Sequence, residues 1–225
     1  MKILTFDTSL DKTYVTLSEN EKILADIIVE NHDEKYHSAY LIPTIVNILK
    51  NNNILMKDIN VIGTNVGPGS FTGIRACVTV ARVFAQQLNI PLVGVSSLEI
   101  LSHINTSGSK TAVVLDARKN QFYTALYERN KELSSPKLTN ADELKSFDFK
   151  DTFVIADETS SAFLNSFGVE SVVYTEVNAD LGQYLNKIVY DKISNASDED
   201  YLWGKLKPLY LQAPPVTISA KSKIK

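Results

Sequence analysis

The sequence predicts an α/β protein of two similar halves, each a mixed sheet with flanking helices. Three observations carry this. A strand–hairpin–strand segment occurs twice, helical periodicity follows each copy, and the composition is that of an ordinary globular chain. The 225 residues are 44% hydrophobic and 22% charged, which excludes disorder as the main state. A chain of this length can bury about three-quarters of its unfolded surface, enough for a core without disulfides or metal.

The opening stretch ILTFDTSLDKTYVTLSENEKIL aligns with VVLDARKNQFYTALYERNKEL at a constant offset. Asp7 falls on Asp116, Tyr14 on Tyr123, Leu17 on Leu126, Glu19 on Glu128, Lys22 on Lys131 and Leu24 on Leu133. In each copy an apolar run ends in Asp, and a polar turn leads into an alternating strand. A second turn, at Glu19-Asn20 or Arg129-Asn130, opens a third strand. Tyr40, Leu41, Ile45, Ile48 and Leu49 then recur at helical spacing and predict a helix over 36–50. INVIGTNV reads as a buried strand, GPGSFTGIR opens a long helix over 70–88, and IPLVGV is a further strand. In the second half a helix begins near Asn140, TFVIAD is a strand, SAFLNSF a short helix and ESVVY another strand. DLGQYLNKIVYDKI is an amphipathic helix with Leu181, Leu185, Ile188 and Val189 on one side. The turn cluster from Thr106 to Lys110 divides a first half, 1–105, from a second, 110–212, and 213–225 reads as a loose basic tail.

The net charge of -3 excludes a generally basic, nucleic-acid-coating protein. Cys77 is the only cysteine, so no intrachain disulfide or thiolate cluster can form, which suits a reducing compartment. The N-terminal apolar run reaches Asp7 too soon for a signal peptide. The stretches 59–74 and 83–98 are interrupted by Gly, Pro, Asn and Gln and do not read as membrane spans. A cytoplasmic location is expected.

Four features carry candidate chemistry. Asp7-Thr8-Ser9, at a strand end entering a hairpin, either holds a magnesium-bound phosphate or satisfies its own turn amides. Gly67-Pro68-Gly69-Ser70 precedes a helix, where amides can bind anions. It lacks the Gly-Lys-Ser/Thr of a P-loop, and Ser70 can simply be the N-cap. The helix that follows carries a row of small residues, Gly73, Cys77, Ala81 and Ala85, with Ile74 and Val78 beside it and almost no polar position apart from Arg75, Arg82, Gln86 and Gln87. A helix apolar nearly all round is covered on both sides, either centrally within the chain or by a partner. The histidines His32, His37 and His103 lack zinc-site spacing, and no GxSxG elbow is present.

ILTFDTS, HSAYLIPTI, GPGSFTGIR, IPLVGVSSLEIL, VLDAR and PLYLQAP together resemble the TsaB (YeaZ-type) family of tRNA threonylcarbamoyladenosine biosynthesis, with a departure at Gln212. The resemblance implies an ASKHA fold (actin-like ATPase, ribonuclease-H-like) of two duplicated mixed-sheet halves. It also implies a non-catalytic subunit that pairs with a TsaD-type catalytic relative and is joined by a TsaE-type ATPase. That assembly moves threonylcarbamoyl from threonylcarbamoyl-AMP to N6 of the adenosine beside the anticodon in ANN-decoding tRNAs. The resemblance also implies tRNA as a partner through the complex. The two metal-binding histidines of the catalytic relative fall here on Ser97 and Leu101, neither a replacement for imidazole, and no Gly-Gly pair is present. No catalytic, cofactor or metal residue is therefore expected. The resemblance places the partner contact on the first two long helices, with Leu41, Ile45 and Leu49 from the first and Ile74, Cys77, Val78, Ala81 and Arg82 from the second. A homodimer through the same surface is a further expectation. The rival function is an ATP-dependent phosphotransferase of the sugar-kinase class, drawn from Asp7 and Asp116 on duplicated hairpins. A metalloprotease is a second rival.

Overall fold

Two five-stranded sheets of identical topology organise the chain in a computed structural model that describes residues 1–30, 38–195 and 198–212. The first contains β1 (Lys2–Asp7), β2 (Thr13–Glu19), β3 (Lys22–Val29), β4 (Val61–Gly67) and β5 (Leu92–Ser96), ordered β3-β2-β1-β4-β5. The second contains β6 (Lys110–Asp116), β7 (Gln121–Glu128), β8 (Lys131–Asn140), β9 (Thr152–Ala156) and β10 (Val172–Val173), ordered β8-β7-β6-β9-β10. In each sheet the first three strands are an antiparallel meander and the last two run parallel to the first strand. The sequence repeat is thus a structural duplication, and the fold is the expected ASKHA type.

The duplication slips by one residue at its hairpin. Asp7 pairs with Tyr14 across residues 8–13, whereas Asp116 pairs with Phe122 across the shorter 117–121. Phe122, not Tyr123, therefore stands where Tyr14 stands. Side chains alternate along a strand, so a one-residue slip exchanges its faces. Phe122 is buried in the outer core with Leu144 and Leu164, Ala125 and Tyr127 in the central one, and Tyr123 and Leu126 are only partly buried. The slip runs the whole length of the β6–β7 pair, whose register is constant from Asp116–Phe122 to Lys110–Glu128, while the next turns match, Lys22 facing Glu19 and Lys131 facing Glu128.

Six α-helices among the described residues complete the layers: α1 (Ser38–Asn51), α2 (Phe71–Leu88), α3 (Ser97–Ser102), α4 (Ala141–Lys145), α5 (Glu158–Asn165) and α6 (Leu181–Ser194). Alternation along β1 and β4 sorts their residues between two cores. Leu4, Phe6 and Ile62 join Leu41, Ile45, Ile48, Leu49, Cys77, Ala81 and Ala85 beneath α1 and α2. Ile3 and Val61 face the opposite side, where α3 and α6 lie between the two sheets. This central layer carries Leu98, Leu101, Leu181, Leu185, Ile188 and Val189, and the second sheet adds Val113, Leu115, Tyr127 and Ile155 to it. The outer face of the second sheet is covered by α4 and α5 through Leu144 and Leu164.

Local chemistry sets the ends of these helices. Ser70 Oγ accepts the Gly73 amide and starts α2, which stops at Asn89 in the left-handed region (φ 52°). Asn140 and Glu143 form a capping box on α4, and Asp157 and Asp180 cap α5 and α6. ESVVY is a strand only at Val172–Val173 before a 3₁₀ turn. His32, His37 and the tail at 213–225 lie outside the described residues. The preceding segment is extended: Leu206 covers Gly94, the Leu209 amide donates to the Val66 carbonyl (2.8 Å), and Gln212 Nε2 donates to the Ala117 carbonyl (2.7 Å). It ties the first sheet to the second hairpin.

The α6 N-terminus meets β3 through two carboxyl groups. Asp26, which accepts the Thr16 hydroxyl at 2.5 Å, is hydrogen-bonded to Asp180. Burial first, then the neighbouring Asp180, raises the Asp26 pKa to about 7. Between its ordinary value and about 7 the folded chain binds a proton that the unfolded chain releases, so stability falls as pH rises through that window. Urea unfolding at pH 5 and pH 8 is expected to show this fall. Asp26→Asn, which keeps a donor toward Asp180, is expected to shrink it and to raise the midpoint at pH 8.

Candidate functional site

The end of β1 carries the residues with the most site-like sequence, and the structure closes them off. Asp7 is 2% exposed. Its Oδ1 accepts the Ser9 amide (2.7 Å) and hydroxyl (2.6 Å), and its Oδ2 accepts Asn65 Nδ2 (3.0 Å). Asn65 Oδ1 in turn accepts the Gly67 amide (2.8 Å) and the Ser97 hydroxyl (2.9 Å). Burial raises the Asp7 pKa, against the lowering effect of the Ser9 and Asn65 hydrogen bonds.

The first turn of α2 sits directly on this cage. Thr8 Oγ1 donates to the Gly73 carbonyl (3.1 Å), the Thr8 amide donates to Cys77 Sγ (3.1 Å), and the Ser70 amide donates to the Ser9 carbonyl (2.9 Å). A Cβ at Gly69 would stand 2.5 Å from the Ser9 carbonyl oxygen, and one at Gly73 would collide with the Thr8 carbonyl. These two glycines are present because backbone meets backbone there. Of the two sequence readings of Asp7-Thr8-Ser9, the geometry matches turn chemistry: the amides are satisfied by the chain itself, and the carboxylate has no open side. Asp116, at the equivalent strand end, is less buried, accepting the Arg118 amide and donating its own amide to Asp157.

The small-residue row of α2 faces inward for the same reason. Gly73, Cys77, Ala81 and Ala85 let the helix approach its own sheet closely, and Cys77, Ala81 and Ala85 are 0% exposed. Of the eight residues expected at a partner contact, Leu41, Ile45, Leu49, Ile74, Cys77, Val78 and Ala81 are all buried within this chain, and Arg82 alone is partly exposed. The outward face of the same helices carries Ile42 and Val46 from α1 and Val83 from α2, exposed by 42%, 57% and 49%. Thr79 and Gln86 continue that face on α2, and Arg75 lies at its N-terminal end, where its guanidinium turns over the Phe71 ring.

Ser97 is part of the Asp7 cage and Leu101 is in the central core, both 0% exposed. His103 caps α3, with its ring nitrogen Nδ1 against the Glu99 carbonyl (3.0 Å), and burial lowers its pKa, so it stays neutral. Among the described residues no cluster of three or more His, Cys, Asp or Glu could hold a metal. No helix among them is long and apolar enough to cross a membrane.

The sequence reading singles out Ser97 only as a lost histidine position and does not single out Asn65, although an Asn inside the apolar run INVIGTNV is a signal, since a polar residue in a buried strand needs partners. Ile42, Val46 and Val83 were missed because they form a second apolar stripe beside a stronger one.

Two outcomes are expected. Burial and the nearby Asp7 push the Cys77 thiol up to about 12, so alkylating reagents should leave it unmodified in the native chain and label it only after denaturation. Gly73→Ala should lower stability by about 1–3 kcal/mol, read as a lower urea midpoint, because α2 must lift from Thr8.

Comparison with known proteins agrees with this geometry. The family model described as TsaD, tRNA N6-adenosine threonylcarbamoyltransferase, matches residues 22–194. The TsaB biosynthesis protein of Bacillus subtilis (strain 168) is 34% identical over 132 residues, 57% of this chain and 56% of that protein. The TsaB protein of Escherichia coli (strain K12) is 29% identical over 136 residues, covering 58% of this chain and 56% of its own length. The match thus spans little more than half the length of these curated relatives. YeaZ from Pseudomonas aeruginosa superposes with a TM-score of 0.76 at 19% identity, over 93% of this chain and 99% of that one, which shows the shared fold. The chain belongs to the TsaD family, on its TsaB (YeaZ-type) side.

Proposed function

We propose that this chain is the non-catalytic subunit of an assembly that transfers threonylcarbamoyl to N6 of an adenosine in tRNA. It acts by docking on a TsaD-type catalytic relative and ordering its helices. The observation that carries this is the outer face of α1 and α2, where Ile42, Val46 and Val83 remain uncovered although the helices' other sides are fully packed. A second pair of helices laid on this face would bury these side chains at about 1.5–3 kcal/mol each. The same patch can serve a homodimer when the partner is absent. Names of the relatives that place them in threonylcarbamoyladenosine biosynthesis support the pathway.

The non-catalytic part is supported by Ser97 and Leu101, which stand where the catalytic relative has histidines and are committed to the cage and the core. The phosphotransferase reading has little to work with at Asp7, whose carboxylate is saturated by Ser9 and Asn65. A TsaE-type ATPase would join the pair at the surface that docking creates. The whole reaction then belongs to the assembly, with this chain supplying rigid shape instead of a reacting group.

Size-exclusion chromatography with light scattering, on this chain mixed with the TsaD-type subunit of the same organism, tests the reading. The wild type should give a one-to-one complex. Val46→Arg combined with Val83→Arg should weaken it at least tenfold while leaving the melting temperature within a few degrees, because both sites are on the surface. Ala81→Arg is the contrasting control: at a fully buried position it should destabilise the chain itself. Normal assembly by the double variant would remove this face from the interface.

A further inference from the structure

An exposed aromatic pair lies at the start of α2. Phe71 and Tyr210 are 57% and 52% exposed, with ring centroids 5.8 Å apart, and the Arg75 guanidinium stands over the Phe71 ring at 5.0 Å. Phe71 and Tyr210 are far apart in sequence. They meet because Leu209 is hydrogen-bonded to Val66 and Gln212 to Ala117, which holds the extended segment across the end of the first sheet. Large aromatic surface is rarely left in water in this way without a ligand or partner.

The Gln212 contact also places this pair beside the β6–β7 hairpin tip, where Arg118, Lys119 and Asn120 are all exposed. These three consecutive residues take left-handed conformations, with φ of 64°, 53° and 56°. None is glycine, so each carries a conformational cost, and such strain collects where a loop has to present side chains in a fixed direction. The turn is held by the Asp116 carboxylate on the Arg118 amide (2.9 Å) and by the Gln121 amide on the Arg118 carbonyl (3.1 Å). Arg75, Arg118 and Lys119, with Lys207 on the same segment as Tyr210, make no ion pair with a described residue. On a chain of net charge -3, Arg75 thus stands over one of the exposed rings, and Arg118 and Lys119 lie on the hairpin tip that the Tyr210 segment contacts through Gln212.

Ring faces for bases and cations for phosphates are the two requirements of single-stranded nucleic-acid binding, and duplex RNA satisfies only the second because its bases are stacked inside. We infer that Phe71 and Tyr210, with Arg75, Arg118 and Lys119, form a platform that binds the unpaired loop of an RNA. The identification of that RNA with a tRNA rests on the proposed function; the binding itself does not. The chain would then contribute directly to holding the substrate, in addition to ordering its partner.

Fluorescence anisotropy of the isolated full-length chain with a labelled RNA stem-loop tests this, with a fully duplex RNA of equal length as the comparison. The stem-loop should bind more tightly than the duplex. Phe71→Ala and Tyr210→Ala should each weaken stem-loop binding about tenfold. Arg118→Ala should reduce the slope of log affinity against log salt by about 0.7. Lys57→Ala, an exposed cation elsewhere, should change nothing. Tyr210 lies outside every helix and strand, so Tyr210→Ala carries the test if Phe71→Ala disturbs α2. Equal binding of stem-loop and duplex, or unaltered binding by Tyr210→Ala, would overturn the inference. So would a Tyr210→Ala chain that keeps RNA binding but no longer pairs with the catalytic relative, since the rings would then belong to a protein interface. Stem-loop binding lost in Tyr210→Ala, together with failure of the wild type to pair with that relative, would leave this platform standing and sink the docking role alone.

Discussion

The burial of α6 between two sheets is the constraint on which the remaining structure depends. The helix comes late in the chain, yet it packs against β1, β2 and β5 of the first sheet. Val189 sits so close to β4 that only a glycine fits at Gly63, and Asn186 donates to the Thr5 hydroxyl at 3.2 Å. Leu181, Leu185, Ile188 and Val189 are all within 3% of complete burial. The residues of the second sheet that share this layer, Val113, Leu115 and Ile155, meet it chiefly through α3, which packs on β6 and β7 and against α6. The two halves are therefore duplicated in topology but joined through one core, so neither presents a finished surface alone.

Among the described residues, that central layer leaves the outer side of the first sheet with an uncovered apolar stripe. The inner side of the first sheet is taken by α6 and α3, and the outer side of the second by α4 and α5. On the outer side of the first sheet, α1 and α2 use their strongest stripes inward and still expose Ile42, Val46 and Val83. The same close packing closes the Asp7 end. With Gly69 and Gly73 letting α2 rest on the Thr8-Ser9 backbone, a strand end able to hold a phosphate in principle becomes a hydrogen-bonded brace. An uncovered apolar face and a carboxylate that braces agree with the proposed role of contributing shape.

Much of the fold was legible in the order of residues. The repeat of Asp7 on Asp116 marks equivalent strand ends, the alternation in β2 and β7 gives the hairpins, and Ser70 and Asn140 mark helix starts by their capping chemistry. The one-residue slip at Phe122 was not legible, because a constant offset treats hairpins as equal in length and only strand pairing reveals that they differ. The cage around Asp7 was half legible: the acid and its Ser9 partner are neighbours, while Asn65 reaches it from β4 and is itself held by Ser97 at the start of α3.

The sequence by itself determined the duplicated α/β plan and the helices and strands in order, because these depend on local periodicity, capping and turn chemistry. Tertiary structure alone decided which faces are inside. Along α2 the small row Gly73, Cys77, Ala81 and Ala85 and the flank carrying Val83 both read as apolar, and periodicity cannot rank them. The close approach of α2 to Thr8 and Ser9 ranks them, since only residues without bulk fit against that backbone. The larger side chains of the other flank are left pointing outward, where a partner can cover them.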